Sequence, residues 1–374
     1  MTIDAAKFTD LDMPQRVLLG PGPSMVDPRV LRAMAAPMVG HLDPNFVKLM
    51  DQIQELLRYL FQTENDLTLP ISGTGTAAME TCVANSVEPG DRVLVCINGY
   101  FGLRLAEMAK RYGADVATIS RPWGEVFNAE DVRAALEKRA AQVVMIVHGE
   151  TSSGAMQPLA EIAQVVHEYD GLLLVDTVAS LGGVPFSVDD LGIDICYTGS
   201  QKCLSSPPGI GPVTFGPRAV EKLNNRATPV ANWYLDLTLL RDYWGAPRKY
   251  HHTTPISANY ALYESLRLVA EEGLETRWAR HRRMAEMLWD GLEAIDMTMH
   301  VPLENRLASL TTVRIPDGLD ELAIRKRLLV DYNIEIAGGL GELGGKVWRV
   351  GLMGYSARAE NVLLLLAALE KLLG

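Results

Sequence analysis

The sequence has little of several features that mark specialised classes of protein. Cysteine is scarce, because only four of the 374 residues are cysteine, namely Cys82, Cys96, Cys196 and Cys203. Their spacing matches neither a disulfide framework nor a zinc site, so we expect reduced thiols. The formal net charge is -11, and clusters of lysine and arginine are lacking. Because such clusters bind the phosphates of nucleic acids, we predict no nucleic-acid partner.

Long apolar runs are also lacking. No run approaches the about 20 residues of a membrane-spanning helix, which argues against a membrane partner. Residues 1–12 carry acidic side chains and no apolar stretch like that of a signal peptide, and residues 371–374 contain no peroxisomal or retention signal. We therefore expect a cytoplasmic protein.

The composition is that of an ordinary globular protein. Hydrophobic residues make up 48% and charged residues 22%, which excludes a disordered or low-complexity chain. At 374 residues the chain exceeds the size at which a single core stops growing. We predict an N-terminal arm over residues 1–16, a large domain over residues 17–265 and a smaller C-terminal domain over residues 266–374.

Short apolar runs alternate with amphipathic stretches in the first part of the chain. The runs at residues 93–97, 143–147 and 172–175 are nearly continuous, as expected of strands buried on both faces of a parallel sheet. The stretches at residues 101–112 and 159–169 repeat apolar residues at helical spacing. This alternation predicts a doubly wound α/β domain, in which ligands bind at the carboxyl ends of the strands.

The C-terminal part repeats this alternation in shorter form. One long helical pattern runs from after Pro255 to about Ala294. It is followed by shorter strand-like and helix-like segments at residues 311–315, 319–329, 347–352 and 360–373. These segments predict the smaller domain.

Lys202 is the central candidate for chemistry. It lies in a polar loop that follows the strand-like residues 194–196. A lysine desolvated in such a place can form an imine with an aldehyde, the electrophile of pyridoxal phosphate (PLP). Alone, Lys202 is more simply interpreted as a surface residue. Asp176 changes this interpretation, because a carboxylate at the end of an apolar run can keep a pyridine nitrogen protonated, although a helix cap is its alternative role.

A segment of glycines and hydroxyls predicts a phosphate site. Residues 71–80 pass from an apolar run through Gly73 and Gly75 into a helical pattern, with hydroxyls at Thr74 and Thr76. Backbone N–H groups at the start of such a helix bind phosphate. A Rossmann-type nucleotide loop is the competing interpretation, and it would indicate a dehydrogenase or a binding protein without catalytic activity. The third glycine of that fingerprint is missing, which weakens this alternative.

Three further residues are candidates for contacts with a ring and a substrate. We predict that Phe101 and Val178 pack on the two faces of the cofactor ring, although an aromatic residue at position 101 is often plain core. Arg349 lies on a strand-like segment that follows a glycine-rich loop. Its guanidinium suits the carboxylate of an amino or keto acid, and a structural salt bridge is the alternative.

Taken together, these motifs resemble the class V aminotransferases. Within that family the resemblance is to the alanine-glyoxylate and to the serine-pyruvate or serine-glyoxylate enzymes. The matching segments extend over nearly the whole chain and are residues 19–24, 72–75, 88–91, 148–150, 175–183, 199–202, 250–253 and 349–351. No single segment is specific to this family, but the occurrence of all of them in this order is.

The resemblance implies the PLP-dependent transferase fold of type I. That fold has a large domain with a mainly parallel seven-stranded sheet and a smaller C-terminal α/β domain, and it forms a homodimer with active sites at the subunit interface. The positions that bind the cofactor phosphate in this family match Thr74, Gly75, Thr76 and Gln201 and, from the partner subunit, Tyr250 and Thr253. The position of Thr151 binds near the cofactor hydroxyl and the substrate, and Gly22 lies at the substrate mouth.

The implied reaction is PLP-dependent transamination between alanine or serine and glyoxylate or pyruvate. Well-known members carry histidine, tryptophan and serine at the positions of Thr76, Phe101 and Thr151, so these departures leave the substrate preference open. The nearest alternative is a lyase of the same fold, such as a cysteine desulfurase. That chemistry needs a cysteine on a mobile loop, and no cysteine follows Cys203.

Overall fold

A sheet of seven strands lies at the centre of the molecule. The structure is a computed structural model and describes residues 3–4 and 7–373. The strands of this described part are β1 Val17–Leu18, β2 Leu67–Ser72, β3 Arg92–Ile97, β4 Asp115–Ser120, β5 Val143–Val147, β6 Gly149–Glu150, β7 Ala155–Met156, β8 Leu172–Asp176, β9 Ile195–Tyr197, β10 Ile210–Phe215, β11 Leu310–Arg314, β12 Ile334–Glu335, β13 Ala337–Gly338 and β14 Val347–Gly351. The α-helices are α1 Pro28–Met34, α2 Pro44–Phe61, α3 Gly75–Ser86, α4 Tyr100–Arg111, α5 Ala129–Lys138, α6 Ala160–Glu168, α7 Pro217–Asn224, α8 Leu237–Trp244, α9 Ile256–Glu272, α10 Leu274–Glu293, α11 Glu321–Asp331 and α12 Ala359–Leu373.

The central sheet is mainly parallel, as the resemblance implies. Its strand order is β2-β10-β9-β8-β5-β3-β4. Only β10 runs antiparallel to its neighbours β2 and β9, whereas the other neighbouring pairs are parallel. Strands β5 and β8 are buried at every position, because both faces of the sheet are covered. The predicted α/β fold is confirmed.

The helices that cover the sheet follow the predicted apolar spacing. Helix α4 buries Leu105 and Ala109 one turn apart, and α6 buries Ile162 and Val166 in the same way. These two helices match the predicted helical stretches to within about two residues, which is the usual uncertainty of helix ends.

The long helical pattern after Pro255 is not one helix. It divides into α9 and α10 at Gly273, whose φ of +77° cannot continue a right-handed helix. The sequence prediction overlooked this break because the apolar spacing continues on both sides of a single glycine. The shorter C-terminal segments appear as predicted, as β11, α11, β14 and α12.

The chain contains two hydrophobic cores. The larger core packs around the seven-stranded sheet. The smaller one joins α10 and α12 to the three-stranded sheet β11-β14-β13, and Leu288, Trp348 and Leu365 are fully buried there. The smaller core corresponds to the C-terminal α/β segments, while the proposed bounds of 17–265 and 266–374 stay a prediction.

The segment of residues 17–24 connects the smaller core to the central sheet. Strand β1 pairs in parallel with β12, and Gly351 N–H donates to the Leu19 carbonyl at 2.8 Å. The segment then reaches the loop after β9, where Ser24 N–H donates to the Gln201 carbonyl at 2.9 Å. It therefore places residues 20–23 beside Lys202. Among the described residues, no helix is both long and apolar enough to cross a membrane.

Candidate active site

Asp176 and Tyr197 end two neighbouring parallel strands, β8 and β9, and are paired in register. The Tyr197 hydroxyl donates to Asp176 Oδ2 at 2.7 Å, and Val178 N–H donates to Oδ1 at 2.8 Å. Asp176 is 2% exposed. Burial raises the pKa of Asp176 to about 6, and the hydrogen bonds from Tyr197 and Val178 oppose that rise. The carboxylate is thus held in one orientation at the carboxyl end of the sheet.

Lys202 lies in the loop after β9, and its backbone is fixed from two sides. The Ser24 hydroxyl donates to the Lys202 carbonyl at 2.8 Å, and Ser205 N–H donates to the same oxygen at 3.0 Å. Lys202 Nζ donates to the carbonyl of Pro21. Burial, together with the positive charge of Arg349, lowers the pKa of Lys202 to about 8. A lysine in this state is a better nucleophile at neutral pH than one in water.

Gly22 lies directly against Lys202. Its φ is +106°, a conformation that side-chain-bearing residues rarely adopt. A Cβ atom at this position would lie 2.7 Å from Lys202 Cδ and 2.8 Å from Nζ. Glycine is therefore required here both by the backbone and by the contact, and the predicted mouth residue stands beside the amine.

The N-terminus of α3 lines the same cavity as Lys202, through Gly75 and Thr76. No described side chain caps this helix, so its first N–H groups and its positive dipole end are available to an anion. Thr74 is the N-cap residue, and it does not line the cavity. Gln201 lines the cavity, and its buried Oε1 has no hydrogen-bond partner among the described residues.

Phe101 and Val178 both line the cavity. Phe101 lies in the first turn of α4, and the guanidinium carbon of Arg104 is 4.9 Å from the centre of its ring. Arg104 Nη1 also donates to Thr76 Oγ1 at 3.2 Å. Arg104 thus brings a positive charge to the edge of the cavity between the aromatic ring and the start of α3.

Glu150 is fully buried behind Phe101 and Thr151. Its Oε2 accepts from Phe101 N–H at 3.0 Å, and its Oε1 accepts from Ser152 N–H at 2.9 Å and from the Ser152 hydroxyl at 2.7 Å. Burial raises the pKa of Glu150 to about 7, against these hydrogen bonds from Ser152 and Phe101. A carboxylate is therefore built into the wall behind the cavity.

Arg349 lies on β14 at the side of Thr151. Its Nε donates to the Gly338 carbonyl at 2.8 Å, and its Nη1 donates to the Thr151 carbonyl at 3.2 Å. Burial lowers the pKa of Arg349, and the negative charge of Glu150 opposes that effect. Arg349 forms no ion pair with any described carboxylate, so a half-buried guanidinium is left with unused donors.

These residues surround one cavity of about 200 Å³. Its lining consists of Gly75, Thr76, Met79, Phe101, Arg104, Gly149, Thr151, Asp176, Val178, Ala179, Gln201 and Lys202. The structure therefore brings together eight of the residues that the sequence predicts, while Gly22 and Arg349 touch Lys202 and Thr151 from the side.

Tyr250 and Thr253 do not line this cavity. Tyr250 is 62% exposed and packs against His41, with 5.2 Å between the ring centres. It adjoins an aromatic cluster in which Trp233 stacks on His251 at 4.3 Å. The two residues thus lie on a surface of the chain rather than in its own cavity.

Comparison with known proteins identifies the family. The family described as Aminotransferase class-V matches residues 16–359. This chain is a class V aminotransferase. The match includes Asp176, Lys202 and Arg349, and it confirms the resemblance inferred from the motifs.

The sequences of relatives of known activity align with nearly the whole length of this aminotransferase. It is 43% identical to the (S)-ureidoglycine-glyoxylate transaminase of Bacillus subtilis, over 97% of this chain and 92% of that one. It is 44% identical to the alanine-glyoxylate aminotransferase of Rattus norvegicus, over 94% of this chain and 86% of that one. The crystal structure of an alanine-glyoxylate aminotransferase from Nostoc sp. superposes with a TM-score of 0.98 at 56% identity, over 100% of both chains. The aminotransferase thus has the PLP-dependent fold of type I.

The cavity of the aminotransferase fits PLP, the cofactor of its family. The free N-terminus of α3 suits a phosphate, and the amide NH2 of Gln201, which lines the same cavity, can donate to it. An acid buried at the end of β8 suits a pyridine nitrogen, and the buried amine of Lys202 suits an aldehyde. The donors present therefore match each polar part of the cofactor.

Three residues that sequence reasoning left without a role contribute to this site. Tyr197 orients Asp176, Glu150 lies behind Phe101, and Arg104 flanks the ring. A signal existed for two of them. Tyr197 ends the strand before Lys202, and Arg104 follows Phe101 by one helical turn, which places both on the same helix face.

Proposed function

We propose that this aminotransferase moves an amino group between a small amino acid, alanine or serine, and a small 2-oxo acid, glyoxylate or pyruvate. The observation that carries the proposal is the half-buried Arg349, which has no acidic partner among the described residues and lies beside a cavity of about 200 Å³. A guanidinium with free donors fixes a carboxylate, and a cavity of this size that also holds the cofactor leaves room for only a small substrate. The relatives named above act with glyoxylate, which supports this acceptor.

Lys202 and Asp176 are the catalytic residues of this proposal. When bound, PLP supplies an aldehyde that takes up the amino group and a ring that accepts the electron pair left at the substrate Cα. Lys202 Nζ, free once the substrate amine is in place, would take the proton from the substrate Cα and pass it to the cofactor carbon that has received the amino group. Asp176, held by Tyr197 and Val178, keeps the ring nitrogen protonated. Gly22 leaves room for Lys202 to move.

The remaining predicted residues bind and orient. The start of α3, with Thr74, Gly75 and Thr76, and the amide of Gln201 hold the phosphate. Phe101 and Val178 enclose the ring, and Thr151 offers a hydroxyl at the cavity wall, where its backbone is tied to Arg349.

We also propose that the active enzyme is a homodimer. The exposed Tyr250 and the neighbouring Thr253 lie outside their own cavity, next to an aromatic cluster that includes the 62% exposed Trp233. Aromatic residues of this kind are enriched at the cores of interfaces. A second copy of the chain would cover these aromatic residues. Tyr250 and Thr253 of each subunit would then reach the phosphate site of the other subunit. A sedimentation measurement that finds only monomer in the active enzyme would contradict this.

A cysteine desulfurase reaction is not supported by the thiols. All four cysteines are buried, and burial raises the pKa of each. A nucleophilic cysteine needs an exposed, electropositive surrounding that favours the thiolate. Four unpaired thiols also support the proposal of a reducing compartment, the cytoplasm.

Lys202→Ala tests the central assignment. The purified variant should lack the visible absorbance of bound PLP and should lose transamination, whereas Lys138→Ala, which removes an exposed lysine of α5, should keep both. Normal turnover of Lys202→Ala would refute the assignment. Ranking alanine, serine and (S)-ureidoglycine as donors against glyoxylate and pyruvate, by kcat/KM, then determines the substrate pair.

Arg349→Ala tests the carboxylate site. The loss of a charged hydrogen-bonding partner worth about 1.5–3 kcal/mol should raise the apparent KM for donor and acceptor alike by roughly 10- to 150-fold. The control is Arg314→Ala, which removes an exposed arginine of β11. Unchanged KM values in Arg349→Ala would show that another residue binds the carboxylate.

A further inference from the structure

The N-terminus of α4 is capped from outside the helix. Gly99, its N-cap residue, has no side chain to offer, and the helix has no side-chain cap of its own. Tyr100 N–H instead donates to Ser152 Oγ at 2.9 Å, and Phe101 N–H donates to Glu150 Oε2 at 3.0 Å. Two of the first N–H groups of α4 are therefore satisfied by the last residue of β6 and by the turn that follows it.

The hydrogen bonds around Glu150 have a fixed direction. The Ser152 hydroxyl accepts from Tyr100 N–H, so its own proton is available to Glu150 Oε1, at 2.7 Å. Ser152 N–H donates to the same oxygen at 2.9 Å. All three groups that hydrogen-bond to Glu150 are donors, and an ionised carboxylate accepts from all of them. Charge-assisted hydrogen bonds of this kind are stronger than neutral ones.

Glu150 has no freedom to move within this arrangement. Its relative exposure is 0%, and a Cβ atom at Gly99 would lie 2.2 Å from Glu150 Cγ. Glu150 itself does not line the cavity, but two of its neighbours do. Phe101, whose N–H it accepts, and Thr151, which stands between Glu150 and Ser152, both face the cavity.

We propose that Glu150 is a positioning residue, whose carboxylate ties the start of α4 to the turn of residues 150–152 and so fixes Phe101 and Thr151 around the cofactor. The inference rests on the proposed function, in which these two residues contact PLP. Phe101 is thereby held from its backbone by Glu150 and over its ring by Arg104. Ser152 is the link between Glu150 and the N–H group of Tyr100.

Glu150→Gln tests the proposal with little change in volume. One carboxylate oxygen becomes an NH2 group, which must then face a donor, either Phe101 N–H or the two donors of Ser152. We expect PLP to bind the cofactor-free protein about tenfold more weakly and the visible circular dichroism of bound PLP to fall. The size of the effect is taken from metal sites, where residues that hydrogen-bond to the metal ligands orient them in the same way. Removing such a residue typically lowers the affinity for the metal by about 10- to 100-fold.

Asn128→Ala is the matched control. It removes the cap of α5, where the Asn128 side chain accepts from Asp131 N–H at 2.9 Å, a helix end that does not line the cavity. This variant should lower the unfolding temperature but leave the PLP dissociation constant and the circular dichroism unchanged. Ser152→Ala, which keeps the charge of Glu150 and removes one link, should give an intermediate loss of the signal, and it carries the test if Glu150→Gln does not fold.

The outcomes separate the inference from the function. The role of Glu150 would be overturned if Glu150→Gln bound PLP with wild-type affinity and gave wild-type circular dichroism, while the wild type itself binds PLP. If only Ser152→Ala folds, the same result in that variant would overturn it. The inference would also be overturned if Asn128→Ala bound PLP more weakly in proportion to its loss of stability. That result would show that the loss of any helix cap weakens PLP binding. A wild-type protein that takes up no PLP would overturn the proposed function itself.

Discussion

The pH at which the cofactor-free aminotransferase takes up PLP depends on the burial of Lys202. Burial, and after it the charge of the nearby Arg349, lowers the pKa of the Lys202 amine to about 8. Only the neutral amine attacks an aldehyde. The rate of uptake should therefore rise with pH, with its midpoint near pH 8, and become constant above about pH 9.

The expected magnitude follows from the two pKa values. At pH 7 an amine with a pKa of about 8 is about one-tenth neutral. An amine with the ordinary value of 10.5 is neutral in only about three molecules of ten thousand. Uptake at pH 7 should thus be about 300-fold faster than an exposed lysine of the same intrinsic reactivity would allow.

Arg349→Gln adds a second perturbation. Its removal takes away a positive charge that disfavours the protonated amine, so the pKa of Lys202 should rise and the midpoint of the uptake curve should move to higher pH. Glu150 acts in the opposite direction, because its negative charge raises the pKa of Lys202. Glu150→Gln should accordingly move the midpoint to lower pH.

The assay is stopped-flow absorbance after mixing cofactor-free protein with excess PLP, between about pH 6 and pH 10. The same series with a simple alkylamine corrects for the ionisations of PLP itself. A rate that keeps rising to about pH 10, parallel to the alkylamine, would refute the lowered pKa. A midpoint that falls in Arg349→Gln would refute the assigned cause.

Three further variants test the site and the core. Tyr197→Phe removes the 2.7 Å hydrogen bond to Asp176, so kcat should fall about tenfold, as expected for a hydrogen bond to a charged group. Gly22→Ala places a Cβ atom 2.7 Å from Lys202 Cδ, so PLP uptake, followed by absorbance, should slow by roughly 100-fold through displacement of the amine. Leu288→Ala leaves a hole in the smaller core and should destabilise the protein by about 2–5 kcal/mol, measured by urea unfolding.

Each of these variants has a matched control. Tyr112→Phe is the control for Tyr197→Phe, because it removes a hydroxyl that donates to Glu80. If kcat fell equally in both variants, the role of Asp176 would be contradicted. Gly318 also has a positive φ, of +80°, but nothing lies within 4 Å, so Gly318→Ala should leave PLP uptake intact. Leu364 is 41% exposed, and Leu364→Ala should change stability by less than about 0.5 kcal/mol. A comparable loss from Leu288→Ala and Leu364→Ala would contradict the assigned core.

The sequence revealed the elements whose signals are local. Asp176 could be found because an acid at the end of a continuous apolar run stands out, and the ends of parallel strands meet at one edge. The same reasoning located Lys202 and the start of α3. The predicted strands around residues 93–97 and 143–147 are present because runs buried on both faces have few alternatives.

Other features depend on contacts between distant segments. The capping of α4 by Glu150 joins residues that are 49 positions apart, and a helix without its own cap gives no sign of where its partner lies. Arg349 approaches Thr151 across 198 positions. The break at Gly273 is local, but a glycine within a continuing apolar pattern does not by itself distinguish a kinked helix from two helices.

The segment of residues 17–24 determines when during synthesis the site can form. Leu18 accepts from the Ser356 hydroxyl, which lies 338 residues later, and Leu19 pairs with Glu335 and Gly351. At about 5–20 residues per second, a ribosome needs roughly 17–70 s to make the intervening chain. The segment that carries Pro21 and Gly22 is therefore held at both of its ends only after residue 356 has been made, so the wall beside Lys202 is completed late in synthesis although Lys202 itself is made much earlier.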